Sequence, residues 1–212
     1  MPYLIATLNR ILEFSNGLDF YPGFFFMVYL AMTVRCHWPG NDPLYIKYHD
    51  EEWGKPTTDE KKLFEFLILE SAQAGLSWIT ILRRRSNYRK AFANFNVKKV
   101  AAFIDQDVRR LLQDEGIIRN KLKIRGAINT ARLFLETQKE FGSFYNYLYR
   151  FMPDGKPIIN TRHKLVASSP ISDAISKDMK KRGFTFFGTT ICYAYMQATG
   201  MVNDHIPECS FK

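Results

Sequence analysis

The stretch that decides the fold lies at residues 111–124 and reads Leu-Leu-Gln-Asp-Glu-Gly-Ile-Ile-Arg-Asn-Lys-Leu-Lys-Ile. Its spacing predicts a helix that ends before Gly116, a tight turn, and a basic helix that begins at Lys121. Backbone N–H groups at such a helix N-terminus suit a phosphate. The basic side chains around the turn are Arg119, Lys121, Lys123 and Arg125. The pattern fits either a phosphate-binding hairpin or an ordinary αα-hairpin with a solvated basic face.

Helical spacing continues on both sides of this hairpin. Thr57 and Glu60 have the spacing of a capping box ahead of an apolar helix that Gly75 interrupts. Further helices are predicted after the N-cap residues Ser77, Asn96 and Ser172, and over residues 121–140, 143–152 and 190–200. Alternating strand patterns are almost absent, and residues 185–187 are the best strand candidate. The sequence therefore predicts an all-α fold.

The composition is that of a basic globular chain. Its 212 residues are 46% hydrophobic, which suffices for one well-filled core, and its net charge is +9. A positive balance of this size favours a polyanionic partner such as nucleic acid. The three cysteines cannot all pair, so we expect reduced thiols in a cytoplasmic protein rather than the disulfides of a secreted one.

The first 31 residues differ from the rest of the chain. Residues 1–31 hold one basic residue against two acidic ones, and an aromatic run over residues 20–32 is interrupted by Pro22 and Gly23. That run is too short to span a bilayer, and the segment lacks the basic start and cleavage site of a signal peptide. We therefore expect no membrane partner and a dispensable N-terminal extension of unknown role, with the functional domain at residues 32–212.

Two pairs of potential metal ligands stand near the two ends of this domain. Cys36 and His49 lie near its start, and His205 and Cys209 are four residues apart at its end. Two thiolates and two imidazoles complete a tetrahedral zinc shell, which leaves no open position and so predicts a structural site. The alternative is that these are ordinary core or surface residues. Cys192, inside an apolar helix, is predicted to be inert core.

One carboxylate is aligned with an apolar helical face. Glu70 follows Leu63, Phe66 and Leu67 at the spacing i, i+3, i+4 and i+7. Burial and the dipole at a helix C-terminus both disfavour its charge, so the group needs a partner or a function. Glu70 is therefore interpreted either as a recognition group or as half of a salt bridge with an arginine.

Aromatic residues are dense in the same part of the chain. They are Trp38, Tyr45, Tyr48, Trp53 and Trp78, which include all three tryptophans. Aromatic walls with one acid suit a flat, cationic base. A plain aromatic core is the competing interpretation.

Several ordered segments together resemble the DNA-3-methyladenine glycosylase I family, a branch of the helix-hairpin-helix DNA glycosylases. The segments are Cys-His-Trp at 36–38, Tyr-Ile-Lys-Tyr-His-Asp-Glu-Glu-Trp-Gly at 45–54, Gln-Ala-Gly-Leu-Ser-Trp at 73–78, Gly-Ile-Ile-Arg-Asn at 116–120, Gly-Thr-Thr-Ile-Cys-Tyr at 188–193 and Val-Asn-Asp-His at 202–205. Each segment is weak by itself, but the ordered set is specific. The resemblance covers nearly everything after Met32 and does not account for the extension.

The resemblance implies a fold and a set of residue roles. It implies a helix-hairpin-helix fold in which one structural zinc joins both ends of the domain, with Cys36, His49, His205 and Cys209 as ligands. It assigns base recognition to Glu70 and the pocket walls to Tyr45, Tyr48, Trp53 and Trp78. It assigns DNA contact to the wedge Leu76 and to Gly116, Ile118, Arg119 and Asn120. The implied partners are double-stranded DNA that contains alkylated adenine and free 3-methyladenine as product, and we expect a monomer.

The implied reaction is hydrolysis of the N-glycosidic bond of 3-methyladenine after base flipping. N3-methylation leaves the base cationic in DNA, so the leaving group needs no protonation, and a Glu70 carboxylate would accept from the exocyclic amine. No Asp occurs between Asp114 and Asp154, where related glycosylases carry a catalytic one, and no Schiff-base lysine is identified. We therefore expect a monofunctional enzyme without lyase activity.

Other functions stay open on the sequence alone. A non-enzymatic, zinc-stabilised DNA-binding module would share the basic hairpin and the metal, but it gives no reason for a carboxylate among aromatic residues. A catalytic zinc hydrolase needs an open coordination position, against which four protein ligands argue. A glycosylase for another alkylpurine or for oxidised bases is the third alternative.

Overall fold

The computed structural model of the chain describes residues 33–160 and 163–212. Residues 1–31, predicted to be a dispensable extension, lie outside this range. The helices are α1 Pro43–Glu51, α2 Glu60–Gln73, α3 Trp78–Leu82, α4 Arg85–Ala91, α5 Val97–Ala101, α6 Asp105–Gln113, α7 Lys121–Phe141, α8 Phe144–Tyr149, α9 Pro170–Lys181 and α10 Thr189–Ala198. Short 3₁₀ turns occupy Ala93–Phe95 and Pro153–Gly155, and two short strands are β1 Ile158–Ile159 and β2 Val202–Asn203. The described chain is mostly helical, as the sequence predicts.

Helix α2 lies at the centre of the domain. It contacts α3, α7, α8 and α10. Its residues Phe64 and Phe66 are completely buried, and Leu67 is nearly so. Removing such side chains from water is the main source of stability in a domain of this kind. Because residues 63–70 of this helix are all buried, its C-terminal turn brings Glu70 into the interior.

The start of α2 differs from the prediction. Its N-cap is Asp59, whose carboxylate accepts from the Lys61 amide at 2.9 Å. Thr57 does not form the predicted capping box with Glu60, and its hydroxyl accepts from the Asp59 amide at 3.2 Å. The Glu60 carboxylate instead accepts from the first two backbone amides of α8, at 2.8 and 2.9 Å. Glu60 thus caps the N-terminus of α8, and this tertiary contact replaces the capping box that was predicted within α2.

Most other helix predictions are confirmed to within a few residues. Asn96 caps α5 through the Lys99 amide, and α7 covers the predicted long helix. Ser172 is wrong as an N-cap, because Ser169 caps α9 and Ser172 is its capping-box partner three residues later. Ser77 precedes α3, but its hydroxyl pairs with that of Thr80 and caps no amide.

The strand prediction is wrong. Residues 185–187 are not extended, because Phe186 has a φ of +56°, which no strand allows. The strands that form are β1 and β2, which pair in parallel through Ile158 with Val202 and Ile159 with Asn203. This two-residue ladder holds the irregular segment after α8 against the chain that follows α10. No helix in the described ranges is long and apolar enough to cross a membrane.

Candidate functional site

A cavity of about 200 Å³ opens beside the C-terminal half of α2. Its lining consists of Trp38, Tyr45, Tyr48, Trp53, Glu70, Gln73, Trp78, Leu165, Ala194 and Gln197. The sequence-predicted acid and all four predicted wall aromatics are among them. These five side chains come from α1, the turn after it, α2 and α3. The fold thus brings together residues that are up to 33 positions apart in the sequence.

Glu70 is the buried acid of this cavity. It is 2% exposed, and its Oε2 atom has no hydrogen-bond partner among the described residues. Desolvation by burial raises the pKa of its carboxyl to about 8. A cavity wall therefore holds a carboxyl group that is neutral or charged according to what lies against it.

The salt-bridge interpretation of Glu70 is wrong, because the buried ion pair of α2 belongs to another residue. The Glu65 carboxylate accepts from Arg85 Nε at 2.7 Å, and Arg89 Nη2 lies 2.8 Å from it. Arg85 also pairs with Glu52 at 2.6 Å. Within the described chain no arginine or lysine forms an ion pair with Glu70.

Unsatisfied polar atoms concentrate in the cavity. The indole Nε1 atoms of Trp38 and Trp78, Glu70 Oε2 and Gln73 Oε1 are all buried without a hydrogen-bond partner in the described chain. An unsatisfied buried polar group costs about 1–3 kcal/mol, so such groups are rare in a core. Two donors and two acceptors on aromatic walls match a flat ligand that carries both kinds of group. The plain aromatic core is therefore the weaker interpretation of this cluster.

The walls are fixed by ring packing. Trp38 makes edge contacts with Tyr45 and Trp53, with ring centroids 4.8 and 4.9 Å apart. Tyr48 and Trp78 lie 5.3 Å apart with their planes tilted by 51°. Burial, and then the nearby Glu70 carboxylate, raise the pKa of the Tyr48 phenol well above its usual value. Tyr48 therefore stays a hydroxyl donor at any physiological pH.

Four cavity residues were not predicted from the sequence, and Trp38 was noted there without an assigned role. Gln73 lies three residues after Glu70 on α2, and Ala194 and Gln197 have the same spacing on α10, so helical periodicity could have found them. Gln197 donates from Nε2 to the buried Asp204 carboxylate at 2.7 Å, which orients its amide. Leu165 comes from the irregular segment before α9, where no periodic signal exists.

A second cluster joins the two ends of the domain. The side-chain ligand atoms of Cys36, His49 and Cys209 all lie within 4.8 Å of one another, and all three residues are buried. His49 Nε2 lies 3.6 Å from Cys209 Sγ. The opposite ring nitrogen of His49 lies 2.7 Å from the Asp50 carboxylate, which orients the imidazole. This group of three could hold a metal ion.

The fourth predicted ligand lies beside this group. The ring of His205 is 4.7 Å from that of His49, and its Nδ1 atom lies 2.8 Å from the side-chain oxygen of Asn203. Its Nε2 atom is buried and has no partner in the part of the chain that the structure describes. Burial lowers the pKa of His205 to about 4, so the ring is neutral, as a ligand must be. Two cysteine sulfurs and two imidazoles are the kinds of donor that zinc takes, with three of these residues in the group and His205 beside it.

The predicted phosphate turn has fewer open amides than expected. The Gly116 amide donates to the Asp114 carboxylate at 2.8 Å, and the Ile118 amide donates to the Tyr88 hydroxyl at 3.2 Å. The Asn120 side chain accepts from the amides of Leu122 and Lys123, the second and third residues of α7. Of residues 116–120, the Arg119 amide alone has no partner within the described ranges. The expectation of a row of unpaired N–H groups is wrong, because the Asp114 carboxylate, the Tyr88 hydroxyl and nearby backbone carbonyls accept from most of these amides.

The predicted wedge is accessible. Leu76 is 40% exposed and follows Gly75, whose φ of +80° suits only glycine without strain. Lys123, predicted to add charge at the turn, points elsewhere, because its ammonium group contacts the end of α2. Of the other basic residues around the turn, Lys121 is exposed, and Arg119 and Arg125 are half-exposed and form surface ion pairs with Glu115 and Asp105.

Comparison with known proteins covers almost the whole described domain. A family model described as methyladenine glycosylase matches residues 38–212. The chain is 50% identical over 177 residues to the DNA-3-methyladenine glycosylase 1 of Escherichia coli (strain K12), across 82% of this chain and 95% of that protein. The structure is similar to a crystal structure of 3-methyladenine DNA glycosylase I, with a TM-score of 0.80, 51% identity and coverage of 84% of this chain and 98% of the other. It is also similar to a variant of 3-methyladenine DNA glycosylase I in complex with 3-methyladenine, with a TM-score of 0.81, 34% identity and coverage of 84% and 97%.

Proposed function

Since this chain belongs to the methyladenine glycosylase family and is a glycosylase that hydrolyses an N-glycosidic bond, we propose that it excises 3-methyladenine from alkylated double-stranded DNA by flipping the base into the cavity beside α2. The observation that carries the proposal is Glu70, a buried carboxyl without an ion-pair partner on an aromatic wall. An acceptor of this kind suits the exocyclic amine of adenine and disfavours the carbonyl oxygen that guanine has at the same position.

The reaction needs little acid–base chemistry from the protein. Water forms a bond to the sugar carbon C1′ while the bond from C1′ to the base breaks, and the departing base takes the electron pair. Because 3-methyladenine is cationic in DNA, this pair neutralises it, and the proton of the attacking water passes to solvent. Binding energy is best used on a state in which the base is extruded and oriented.

The cavity residues have separate parts in this scheme. Trp78 and Tyr48 stack on the extruded base, with Tyr45 and Trp53 completing the walls. The cationic base favours the ionised form of Glu70, which then accepts from the base amine and stabilises the positive charge that the sugar develops. Glu70 is the proposed catalytic residue, since it touches the reacting base.

The DNA duplex would be held by two elements. We infer that α6, the Gly116 turn and α7 form a helix-hairpin-helix element whose contacts to the phosphate backbone come from Gly116, Ile118, Arg119 and Asn120. The exposed Leu76 would fill the gap that the flipped nucleotide leaves. Because the cavity, the turn and the wedge come from one chain, the enzyme would act as a monomer.

The reaction would stop at base release. No lysine lines the cavity among the described residues, so no amine is placed to attack C1′ and open a route to strand cleavage. The residues after the Gly116 turn also provide no aspartate before Asp154. Both features favour a monofunctional hydrolase for a lesion that is already labile.

The metal group would have a structural part. When bound, zinc would link Cys36 and His49 to His205 and Cys209, and it would supply no step of the reaction because four protein ligands close its shell. His49 is oriented by Asp50, and Asp50 is in turn held by Arg35 at 2.8 Å.

The proposal is tested on DNA treated with a methylating agent. Mass spectrometry of the released bases should find 3-methyladenine, and gel analysis should find the strands intact until alkali cleaves the abasic sites. Release of 7-methylguanine or an oxidised base without 3-methyladenine would overturn the substrate. Strand scission without alkali would overturn the monofunctional reaction.

A further inference from the structure

Lys123 lies directly after the proposed DNA-binding turn, yet its side chain contacts another helix. It is the third residue of α7, and its Nζ atom donates to the backbone carbonyls of Ala72 at 2.9 Å and Ala74 at 2.6 Å. These carbonyls belong to the C-terminal end of α2, which has no basic residue in its own last turn. A cation at this position satisfies carbonyls that the helix leaves open and opposes its negative end.

The same contact fixes the loop that carries the wedge. Ala74 directly precedes Gly75 and Leu76, and α3 begins two residues later. Within the described chain, the bond from Lys123 to Ala74 is the only hydrogen bond or ion pair that joins residues 74–77 to a distant element, since Leu76 and Ser77 bond only to near neighbours. Gly75 allows backbone conformations that other residues avoid, so little else restrains this loop.

We propose that Lys123 is a positioning residue that couples the hairpin to the wedge, so that docking of the hairpin on the DNA backbone also places Leu76 at the flipped nucleotide. The inference rests on the proposed function, because it presumes a wedge and a DNA-bound turn. Without the ammonium group, the loop after α2 would sample positions in which Leu76 points away from the duplex. The apparent affinity then falls by the fraction of time spent in the competent position.

A neutral side chain of similar length at position 123 tests this coupling. We expect Lys123→Met to bind a duplex that contains a tetrahydrofuran abasic analogue about tenfold more weakly, as it would if the wedge were in place one-tenth of the time. A 2-aminopurine placed next to the analogue should also show a smaller fluorescence rise on binding, since its unstacking reports wedge insertion. Affinity for free 3-methyladenine should stay within about twofold, because the cavity walls are unchanged.

Arg132 provides a matched control on the same helix. Its guanidinium donates to the carbonyls of Ala101 at 3.0 Å and Phe103 at 3.3 Å, so it also ties the end of another helix to α7, but none of these residues lines the cavity. Arg132→Met should lower the melting temperature comparably while leaving abasic-duplex affinity and 2-aminopurine fluorescence unchanged. Lys123→Arg, which keeps a cation with several donors, should restore most of the abasic-duplex affinity.

The proposal would be overturned if Lys123→Met and Arg132→Met had the same abasic-duplex affinity and the same 2-aminopurine fluorescence. Normal abasic-duplex affinity in folded Lys123→Met would also overturn it. If Lys123→Met does not fold, Lys123→Gln carries the same comparison, with one neutral donor in place of the cation. Wild-type protein that binds the abasic duplex but releases no 3-methyladenine would count against the proposed function and leave the Lys123 comparison valid.

Discussion

Glu70 and Glu65 stand five residues apart on α2 and have opposite surroundings. Glu65 is bound by two arginines, whereas Glu70 faces a cavity of aromatic rings without an ion-pair partner in the described chain. A buried carboxylate that is paired contributes to the fold, and one that is left unpaired costs free energy. The difference between these two residues separates the proposed recognition group of α2, Glu70, from its ion-paired acid, Glu65.

Glu70→Gln is expected to impair base recognition without harming the fold. The substitution keeps the shape but removes the charge and replaces one acceptor with a donor, and each lost charge-assisted bond is worth about 1.5–3 kcal/mol. We expect free 3-methyladenine to bind at least about tenfold more weakly and excision to fall, with an unchanged or slightly higher melting temperature. Calorimetric titration and thermal melts on the same preparation measure both effects.

Glu65→Gln is the matched control for this substitution. Because it removes one partner of a buried ion pair, it should cost about 3 kcal/mol of stability and leave base affinity per folded molecule intact. Full base affinity in a destabilised Glu70→Gln protein would show that Glu70 is structural and would end its recognition role.

The pKa of Glu70 predicts a pH dependence with a defined sign. Burial raises this pKa from 4.5 to about 8, so the folded state keeps a proton that the unfolded state has lost. The neutral carboxyl therefore stabilises the free protein fully below about pH 4.5, and this contribution is lost as the pH rises through about 8. Melting temperatures of wild type should fall relative to those of Glu70→Gln across this window.

Base affinity should move in the opposite direction. A bound base amine favours the ionised carboxyl, so binding expels the proton that Glu70 holds at lower pH. The ratio of wild-type to Glu70→Gln affinity for 3-methyladenine should rise from pH 6 to pH 8, and the ratio removes any titration of the base itself. A flat ratio would mean that Glu70 binds the base in its neutral form.

At the scale of elements, the C-terminal end of α2 connects the proposed base site, the proposed wedge and the hairpin. Its last turn holds Glu70, its terminal carbonyls accept from Lys123, and the loop after it exposes Leu76. The proposed base-binding cavity and the proposed wedge are therefore positioned by the same helix end.

Leu76→Ala is expected to weaken binding to abasic-site DNA about tenfold, because the wedge offsets part of the few kcal/mol that unstacking costs. Affinity for free 3-methyladenine should be nearly unchanged, since Leu76 does not line the cavity. Ile104, which is 63% exposed at the start of α6, provides the control, and Ile104→Ala should change neither affinity. Unaltered abasic-duplex affinity in Leu76→Ala would place the residue outside the DNA interface.

The elements also show which parts of the structure the sequence could predict. Long apolar periodicity correctly predicts α7 and the apolar body of α2, because burial of one face decides both. The cap of α2 and the open amides of the hairpin were predicted wrongly, since Glu60 binds the start of α8 and Tyr88 of α4 binds the Ile118 amide, two contacts that only the fold reveals. The direction of Lys123 had no sequence signal at all.

The candidate site divides in a similar way. Helical spacing predicts that Glu70 points to the interior, and the family resemblance predicts that the four aromatic residues line the same pocket. Leu165 and the placement of His205 beside the other three potential ligands depend on irregular backbone after α8 and α10, where local propensities are weak. Contacts between distant loops are therefore the part of the site that sequence periodicity does not predict.

At the scale of the whole molecule, the metal group joins residues near both ends of the described domain. A bridge between Cys36 and Cys209 closes a loop of about 170 residues, which in a chain-entropy model disfavours the unfolded state by about 5 kcal/mol. Metal binding and folding are coupled, so most of this effect depends on the cation. With a cation bound, the proposed site would act on stability rather than on the reaction.

We expect one zinc per chain and a loss of stability when a ligand is removed. Cys209→Ser should lower the melting temperature by about 10 °C, which corresponds to about 3 kcal/mol for a domain of this size. Cys192, buried outside the group, is the control, and Cys192→Ser should keep a full equivalent of zinc. Elemental analysis of purified protein measures the zinc content. Wild-type protein without metal would refute the site, as would a Cys209→Ser variant with normal zinc content and stability.

The extension before Met32 is expected to be dispensable. The family model begins at residue 38, and none of the ordered motifs lies in residues 1–31. A chain that starts at Met32 should keep full excision activity and its melting temperature, whereas one that starts at His37 lacks Cys36 and should lose both zinc and stability. A marked loss of activity or stability in the chain that starts at Met32 would give the extension a role in the domain.

The closeness of Cys36 and Cys209 also decides how the domain carries a mechanical load. Cys36 and Cys209 lie near the two ends of the described domain, and their ligand atoms lie within 4.8 Å of each other. A force applied to the two ends of the domain therefore acts on this pair before it acts on the helices. With a cation between them, tension passes from one thiolate to the other, and the helices in between, together with the base cavity, stay unloaded. If a cation is bound there, the metal–sulfur bonds would carry the force, so a tether at either end should leave base recognition undisturbed.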